Sequence, residues 1–235
     1  YPEEMGLALG QGEVTLVEQT RFVAMVINGG RTVTGQPVTH VFDAADQSRW
    51  EGSAMGGAFL SAEAAAMTRE LMRQVILNGT GGASRGSGGF PGYTGPAIGK
   101  TGTTDQEKDL WFIGGTPLYA GTIWLGYDQP HRIGASASDL AAPLWGWWMH
   151  AVHQGFEKPE FDGPTIRRRT VCSVSGQHGN ETCPLIGAPY LEGQHPTGEC
   201  EIEHPPPDPE KAPYKSIWTR KQEEEAEEAS RDSVE

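Results

Sequence analysis

No apolar run in the 235 residues approaches the ~20 needed to cross a bilayer, and no basic stretch followed by an apolar one opens the chain. The start, Tyr1-Pro2-Glu3-Glu4, reads as the middle of a polypeptide. Hydrophobic content is low at 37%, while 32 glycines and 17 prolines are many, so turns are frequent and the core draws on only part of the chain. Basic residues are few: 18 Lys and Arg against 31 Asp and Glu give −13, which argues against binding nucleic acid or an anionic membrane surface. Some of that charge is local, since residues 221–235 hold seven acids and two bases. Cysteine is scarce as well. Cys172, Cys183 and Cys200 all lie in the last third, and an odd number closes no disulfide framework, although one bridge with a spare thiol is possible. These cysteines with His178, His195 and His204 could supply zinc ligands, but there is no C-x-x-C pair. A disulfide is therefore favoured, with Cys172–Cys183 closing the shorter loop, and no metal is assigned.

The regular elements are legible from caps and periodicity. Thr15-Leu16-Val17-Glu18 has capping-box spacing and predicts a helix over about 15–28, stopped by Asn28-Gly29-Gly30. Thr32–Thr34 and Pro37–Asp43 read as short extended segments. Ser61 opens a second helix that ends at Asn78-Gly79, and residues 79–89 read as a loop with no regular element. Ala97–Thr104, Asp109–Thr116 and Tyr119–Asp128 predict three successive strands. The last two form a hairpin around Thr116-Pro117-Leu118, and their arms are apolar on both faces, which implies a sheet covered on both sides. Ser138 and Asp139 are expected to cap a last helix with Leu144, Trp145, Trp148, Met149 and Val152 on one stripe. Helices before and after a meander predict an α+β architecture, an antiparallel sheet flanked by helices. The chain divides into residues 1–155, a Cys-containing extension 156–204, and a region 205–235. That region begins with the stiff spacer Pro205–Pro209 and ends in a charged tail read as disordered.

Three motifs invite chemistry. Gly82-Ala83-Ser84-Arg85-Gly86 matches the G-x-S-x-G nucleophile pattern, but a helix precedes it and glycines follow, the reverse of the strand–turn–helix that the pattern needs. Gly99-Lys100-Thr101 suggests a phosphate loop, but position 94 is Thr where that loop needs Gly. The third is Lys100-Thr101-Gly102-Thr103-Thr104 itself. On an extended strand Thr101 and Thr103 share a face, Lys100 adds a cation, and Gly102 allows close approach. Such a strand can hold a carboxylate with its side chains and offer a backbone N–H to a developing oxyanion. It has no nucleophile of its own.

With the lysine-threonine-glycine segment go Gly79-Thr80-Gly81, Asp109-x-Trp111-Phe112, Trp124-x-Gly126-Tyr127-Asp128 and Ala141-Ala142-Pro143-Leu144-Trp145. In that order, and with Asn28-Gly29-Gly30, they resemble the C-terminal part of the transpeptidase domain of bacterial class A penicillin-binding proteins, over most of residues 5–155. The resemblance implies the serine β-lactamase/penicillin-binding fold, incomplete at its N-terminal side. The family signature also contains S-x-x-K and a second serine motif; neither occurs in this chain. A truncated or cleaved polypeptide is the expectation, and a noncatalytic scaffold or peptidoglycan-binding module is the alternative.

In the parent enzyme the resemblance implies serine acyl-enzyme chemistry on peptidoglycan stem peptides, with β-lactams as acylating mimics and no cofactor. The nucleophile would come from an N-terminal portion of the same domain. Lys100 and the Thr103 backbone amide would act in catalysis, and Thr101, Gly102, Thr103 and Thr104 would bind substrate. The place implied is the extracytoplasmic face of the cell membrane, reached through an N-terminal anchor.

Overall fold

Thr15 begins the first helix as its spacing implies. Its hydroxyl accepts the Glu18 amide at 3.2 Å, and the Glu18 carboxylate accepts the Thr15 amide at 2.8 Å. The computed structural model describes residue 10 and residues 12–204, and its chain divides into two units, Tyr1–Pro164 and Thr165–Glu235. The first unit opens with α1 (Leu16–Ile27) and then β1 (Arg31–Val33), β2 (His40–Phe42), β3 (Ser48–Glu51) and β4 (Met55–Ala58). These strands make two nested antiparallel pairs, β1 with β4 and β2 with β3. The last two were not expected. Gly56-Gly57 carries little strand propensity, and β4 is defined by pairing with β1 rather than by its own side chains.

Ser61 caps α2 (Ala62–Asn78) by accepting the Ala64 amide at 3.1 Å. The expectation of an irregular loop over 79–89 is corrected by a 3₁₀ turn at Gly82–Arg85, followed by β5 (Gly86–Ser87) paired with β6 (Phe90–Pro91). Gly92 serves close backbone packing, since a Cβ there would lie 2.0 Å from the Arg85 carbonyl carbon, whereas Gly88 and Gly89 supply the positive φ of the β5–β6 turn. Ser84 is 1% exposed inside this turn, which suits packing and not a nucleophile.

β7 (Ile98–Thr103), β8 (Leu110–Gly115) and β9 (Ala120–Leu125) form the antiparallel meander in that order, covered on both faces as expected. One face buries Ile98 with Val23 and Val26 of α1 and Met72 of α2. The other buries Leu110 and Phe112 against Ala141, Trp145 and Met149 of α3 (Ala141–Val152). Neither Ser138 nor Asp139 caps α3. Leu140 holds that position without a side-chain bond, and the Asp139 carboxylate instead takes the Ser136 hydroxyl at 2.6 Å and its amide at 3.0 Å. Those two donors, the hydroxyl first, hold the Asp139 carboxyl below its usual range. The apolar stripe is also narrower than expected. Trp145 and Met149 are buried, whereas Leu144 and Trp148 stay 37% and 39% exposed; each sits one residue, about 100°, away from the line facing the sheet.

Arg69 of α2 lies buried, donating to the carbonyls of Val26 at 3.3 Å and Ile27 at 3.4 Å at the end of α1, and to Asp162 at 2.6 Å. Burial lowers its pKa, and Asp162 opposes that. The second unit is built on a hairpin of β10 (Ile166–Cys172) and β11 (Leu185–Leu191), paired from Ile166↔Leu191 to Cys172↔Leu185. Its three cysteines are free, so the expected bridge is absent. The spacer 205–209 and the charged tail 221–235 lie outside the described residues. Among the described residues no helix is long and apolar enough to cross a membrane.

Candidate active site

The lysine-threonine-glycine segment is the C-terminal half of β7, and among the described residues β7 pairs only with β8. The register decides what its other edge offers. Beyond the last pair, Thr103↔Leu110, the Thr104 amide donates to the Asp109 carbonyl at 3.1 Å. In an antiparallel ladder the backbone groups of alternate residues point to opposite sides. Gly102 and Lys100 therefore turn their amides and carbonyls toward β8, on the same side as the Thr104 amide. Thr103 and Thr101 turn theirs to the free edge. Lys100 reaches round to that edge, its Nζ donating to the Thr101 carbonyl at 2.7 Å.

Side chains alternate across the sheet in the other sense, so Thr101 and Thr103 share a face. It is the face of Gly99, whose missing Cβ leaves room for the Phe112 ring; a Cβ there would fall 2.5 Å from it. Two more elements meet these hydroxyls. Thr80, between α2 and the 3₁₀ turn, places its Oγ1 2.5 Å from the Thr101 Oγ1. The Ala137 amide, in the segment before α3, donates to the Thr103 Oγ1 at 3.2 Å. A hydroxyl has one proton and two lone pairs. With a lone pair of Thr103 already taken, its O–H remains for an external acceptor. With Thr80 as the donor of its pair, the same holds for Thr101.

Thr104 is placed differently from its neighbours. Its hydroxyl donates to the Asp109 carboxylate at 3.1 Å and accepts the Asp109 amide at 2.9 Å, which commits it to the β7–β8 turn. The second oxygen of Asp109 accepts the Trp124 indole N–H at 3.1 Å, so Asp109 ties the turn to β9. A cleft of about 800 Å³ lies past this turn, lined by Thr104–Lys108 and Pro130–Arg132, away from Lys100 and Thr101. Thr80 and the Ala137 amide were not assigned from sequence. For Thr80 the signal was present in Gly79-Thr80-Gly81 directly after a helix, whereas nothing local marks an amide at position 137.

The strand thus brings together two hydroxyls on one face, one ammonium and one outward amide, a set that can grip a carboxylate and stabilise an oxyanion. Among the described residues, no serine or cysteine side chain hydrogen-bonds to Lys100, Thr101 or Thr103.

The family model described as the penicillin binding protein transpeptidase domain matches residues 4–143. Penicillin-binding protein 1A of Clostridium perfringens is 37% identical over 113 residues, 45% of this chain and 14% of the relative. The protein of the same name from Clostridium tetani is 29% identical over 212 residues, 83% of this chain and 26% of the relative. The chain thus spans about a quarter or less of the length of these curated relatives. Among solved structures, penicillin-binding protein 1A from Haemophilus influenzae superposes with a TM-score of 0.68 at 20% identity, over 85% of this chain and 35% of that one. That similarity extends to the fold.

Proposed function

The chain belongs to the penicillin-binding protein transpeptidase domain family, and on that footing we propose that it forms the carboxylate- and oxyanion-binding wall of a peptidoglycan D,D-transpeptidase. The observation that carries this reading is the free edge of β7, where the Thr103 amide points outward beside the Lys100 ammonium and the Thr101 and Thr103 hydroxyls.

In this mechanism a serine from an S-x-x-K segment, which this sequence does not contain, attacks the penultimate D-alanine carbonyl of a stem peptide. Thr101 and Thr103 donate to the substrate's terminal carboxylate, and Lys100 adds charge and steers protons. As the carbonyl oxygen gains charge, the Thr103 amide and the nucleophile's own amide stabilise it. The serine–acyl bond forms, the peptide C–N bond breaks, and D-alanine leaves with its nitrogen protonated. The amine of a second stem peptide then attacks the ester and releases the serine, completing the cross-link. β-Lactams fit the same wall because they carry a carboxylate beside a reactive carbonyl. Thr104, whose hydroxyl is bonded to Asp109, fixes the turn that positions Thr103. The setting proposed is the extracytoplasmic face of a bacterial membrane, where stem peptides lie.

The test uses an assembled domain, this chain joined to a transpeptidase segment that bears S-x-x-K. Lys100→Ala is expected to slow acylation by a fluorescent penicillin at least tenfold, about 1.4 kcal/mol of barrier. An unchanged acylation rate removes Lys100 from the mechanism. A folded assembly that takes no label at all favours the noncatalytic scaffold.

A further inference from the structure

The described part of the second unit, residues 165–204, has little to hold it together by burial. Among the described residues 165–204, the buried side chains are Val171, Cys172 and Cys200, over a single two-stranded sheet. Hairpins of two strands are marginal in water, and units of about 40 residues usually need a covalent or metal staple. The staple available here is chemical. Cys172 ends β10, Cys183 lies in the turn before β11, and Cys200 and His204 lie in the segment after it. Their four ligand atoms all fall within 4.8 Å of one another. The His204 Nε2 is 3.3 Å from the Cys172 Sγ and 3.3 Å from the Cys200 Sγ.

We propose that Cys172, Cys183, Cys200 and His204 form a structural zinc site. With Zn–S near 2.3 Å and Zn–N near 2.0–2.1 Å, the corners of a tetrahedral site stand about 3.5–3.8 Å apart; the cluster needs only small shifts to reach that. Three thiolates and one imidazole are a zinc donor set, and four protein ligands leave no open position for a substrate, so the role is structural. A disulfide would use two of the sulfurs and leave a third, with an imidazole, in the same few ångströms; zinc uses all four.

Backbone bonds independent of any metal preset the cluster. The Val174 amide points at the Cys172 sulfur at 3.4 Å and the Asn180 amide at the Cys183 sulfur at 3.3 Å, the outer contacts that orient thiolate ligands. The His178 amide donates to the Gly198 carbonyl at 3.0 Å and the Cys200 amide to the His178 carbonyl at 2.8 Å, which seats the third ligand beside the first two. The sequence pattern argued against a metal because the ligands are spaced C-x10-C-x16-C-x3-H, so no C-x-x-C pair marks them.

Zinc content and Co²⁺ binding of the full 235-residue chain, purified under reducing conditions, test the site. We expect about one zinc per chain, and Co²⁺ alone should give thiolate charge-transfer and tetrahedral d–d absorption that saturates near one equivalent and is bleached by Zn²⁺. His204→Ala and Cys183→Ser should each weaken binding at least ~100-fold. His204→Cys should restore the tetrahedral spectrum, which separates loss of a ligand from loss of folding, and His195→Ala should leave it unchanged. A reduced chain that takes up no Co²⁺, or absorption that survives loss of both His204 and Cys183, overturns the proposal. A Cys–Cys bridge in zinc-free chain purified without reductant overturns it equally.

Discussion

Thr103→Pro is expected to slow β-lactam acylation of the assembled domain by about 10²–10³-fold, the range for removing one oxyanion-hole donor, about 2.7–4 kcal/mol. The substitution deletes the Thr103 N–H, and that group lies on the free edge, so no bond to β8 is lost. Gly102↔Trp111 and the Thr104–Asp109 bond remain on either side. Proline is accepted on an edge strand when its missing donor faces outward, and Gly102 before it is already extended. The side-chain hydroxyl is removed at the same time, so Thr103→Ala is the necessary comparison. It keeps the amide while losing the hydroxyl and the acceptor of the Ala137 amide. One charge-assisted hydrogen bond to the carboxylate corresponds to about tenfold. Acylation rates of the two variants, measured side by side with their unfolding midpoints, separate the contributions. Equal rates in folded variants remove the amide from the oxyanion role.

Trp145→Ala is expected to destabilise the chain by about 3–5 kcal/mol, read as the shift in free energy of urea unfolding. Trp145 is fully buried, its ring 5.2 Å from Phe112 and its indole N–H donating to the Gly121 carbonyl at 3.1 Å. Gly114 on β8 lacks a Cβ where that ring lies, 2.8 Å from where one would stand, so helix and sheet are shaped to each other around it. Truncation leaves a cavity between α3 and the meander and strips a buried carbonyl of its donor. Trp148→Ala, three residues on but 39% exposed, is expected to cost under about 1 kcal/mol. Equal losses for the two would mean that α3 does not pack on the sheet through Trp145.

The elements most legible in the sequence are those whose signals are local. Thr15 with Glu18, and Ser61 at the head of an alanine-rich run, announce α1 and α2 within four residues. The doubly apolar arms of β8 and β9 announce a covered meander. Where pairing or packing supplies the structure, local signals fail. Met55-Gly56-Gly57-Ala58 is a strand only because β1 lies beside it, and Gly146 is required by the backbone of Ser84, far along the chain. The α3 boundary was misplaced because Asp139 turns back to Ser136 instead of forward to the helix.

The site follows the same rule. Lys100, Thr101 and Thr103 are readable as a motif on one strand, and strand alternation alone puts the two hydroxyls together. What holds those hydroxyls comes from Thr80 and Ala137, 21 and 34 residues away in sequence, beyond any spacing rule. For Thr104 the sequence records a hydroxyl and not its partners, which the structure places on Asp109. The cysteine and histidine cluster was hidden in the same way, its four ligands distributed over a strand end, a turn and the segment after β11.

Covalent labelling with a fluorescent penicillin, followed by peptide mapping, tests most directly whether this chain is the binding wall and not the nucleophile. The chain alone should carry no adduct, and the assembled domain should carry one, on the serine of the S-x-x-K segment. An adduct on any residue of this chain, or a folded assembly that stays unlabelled, would contradict that assignment.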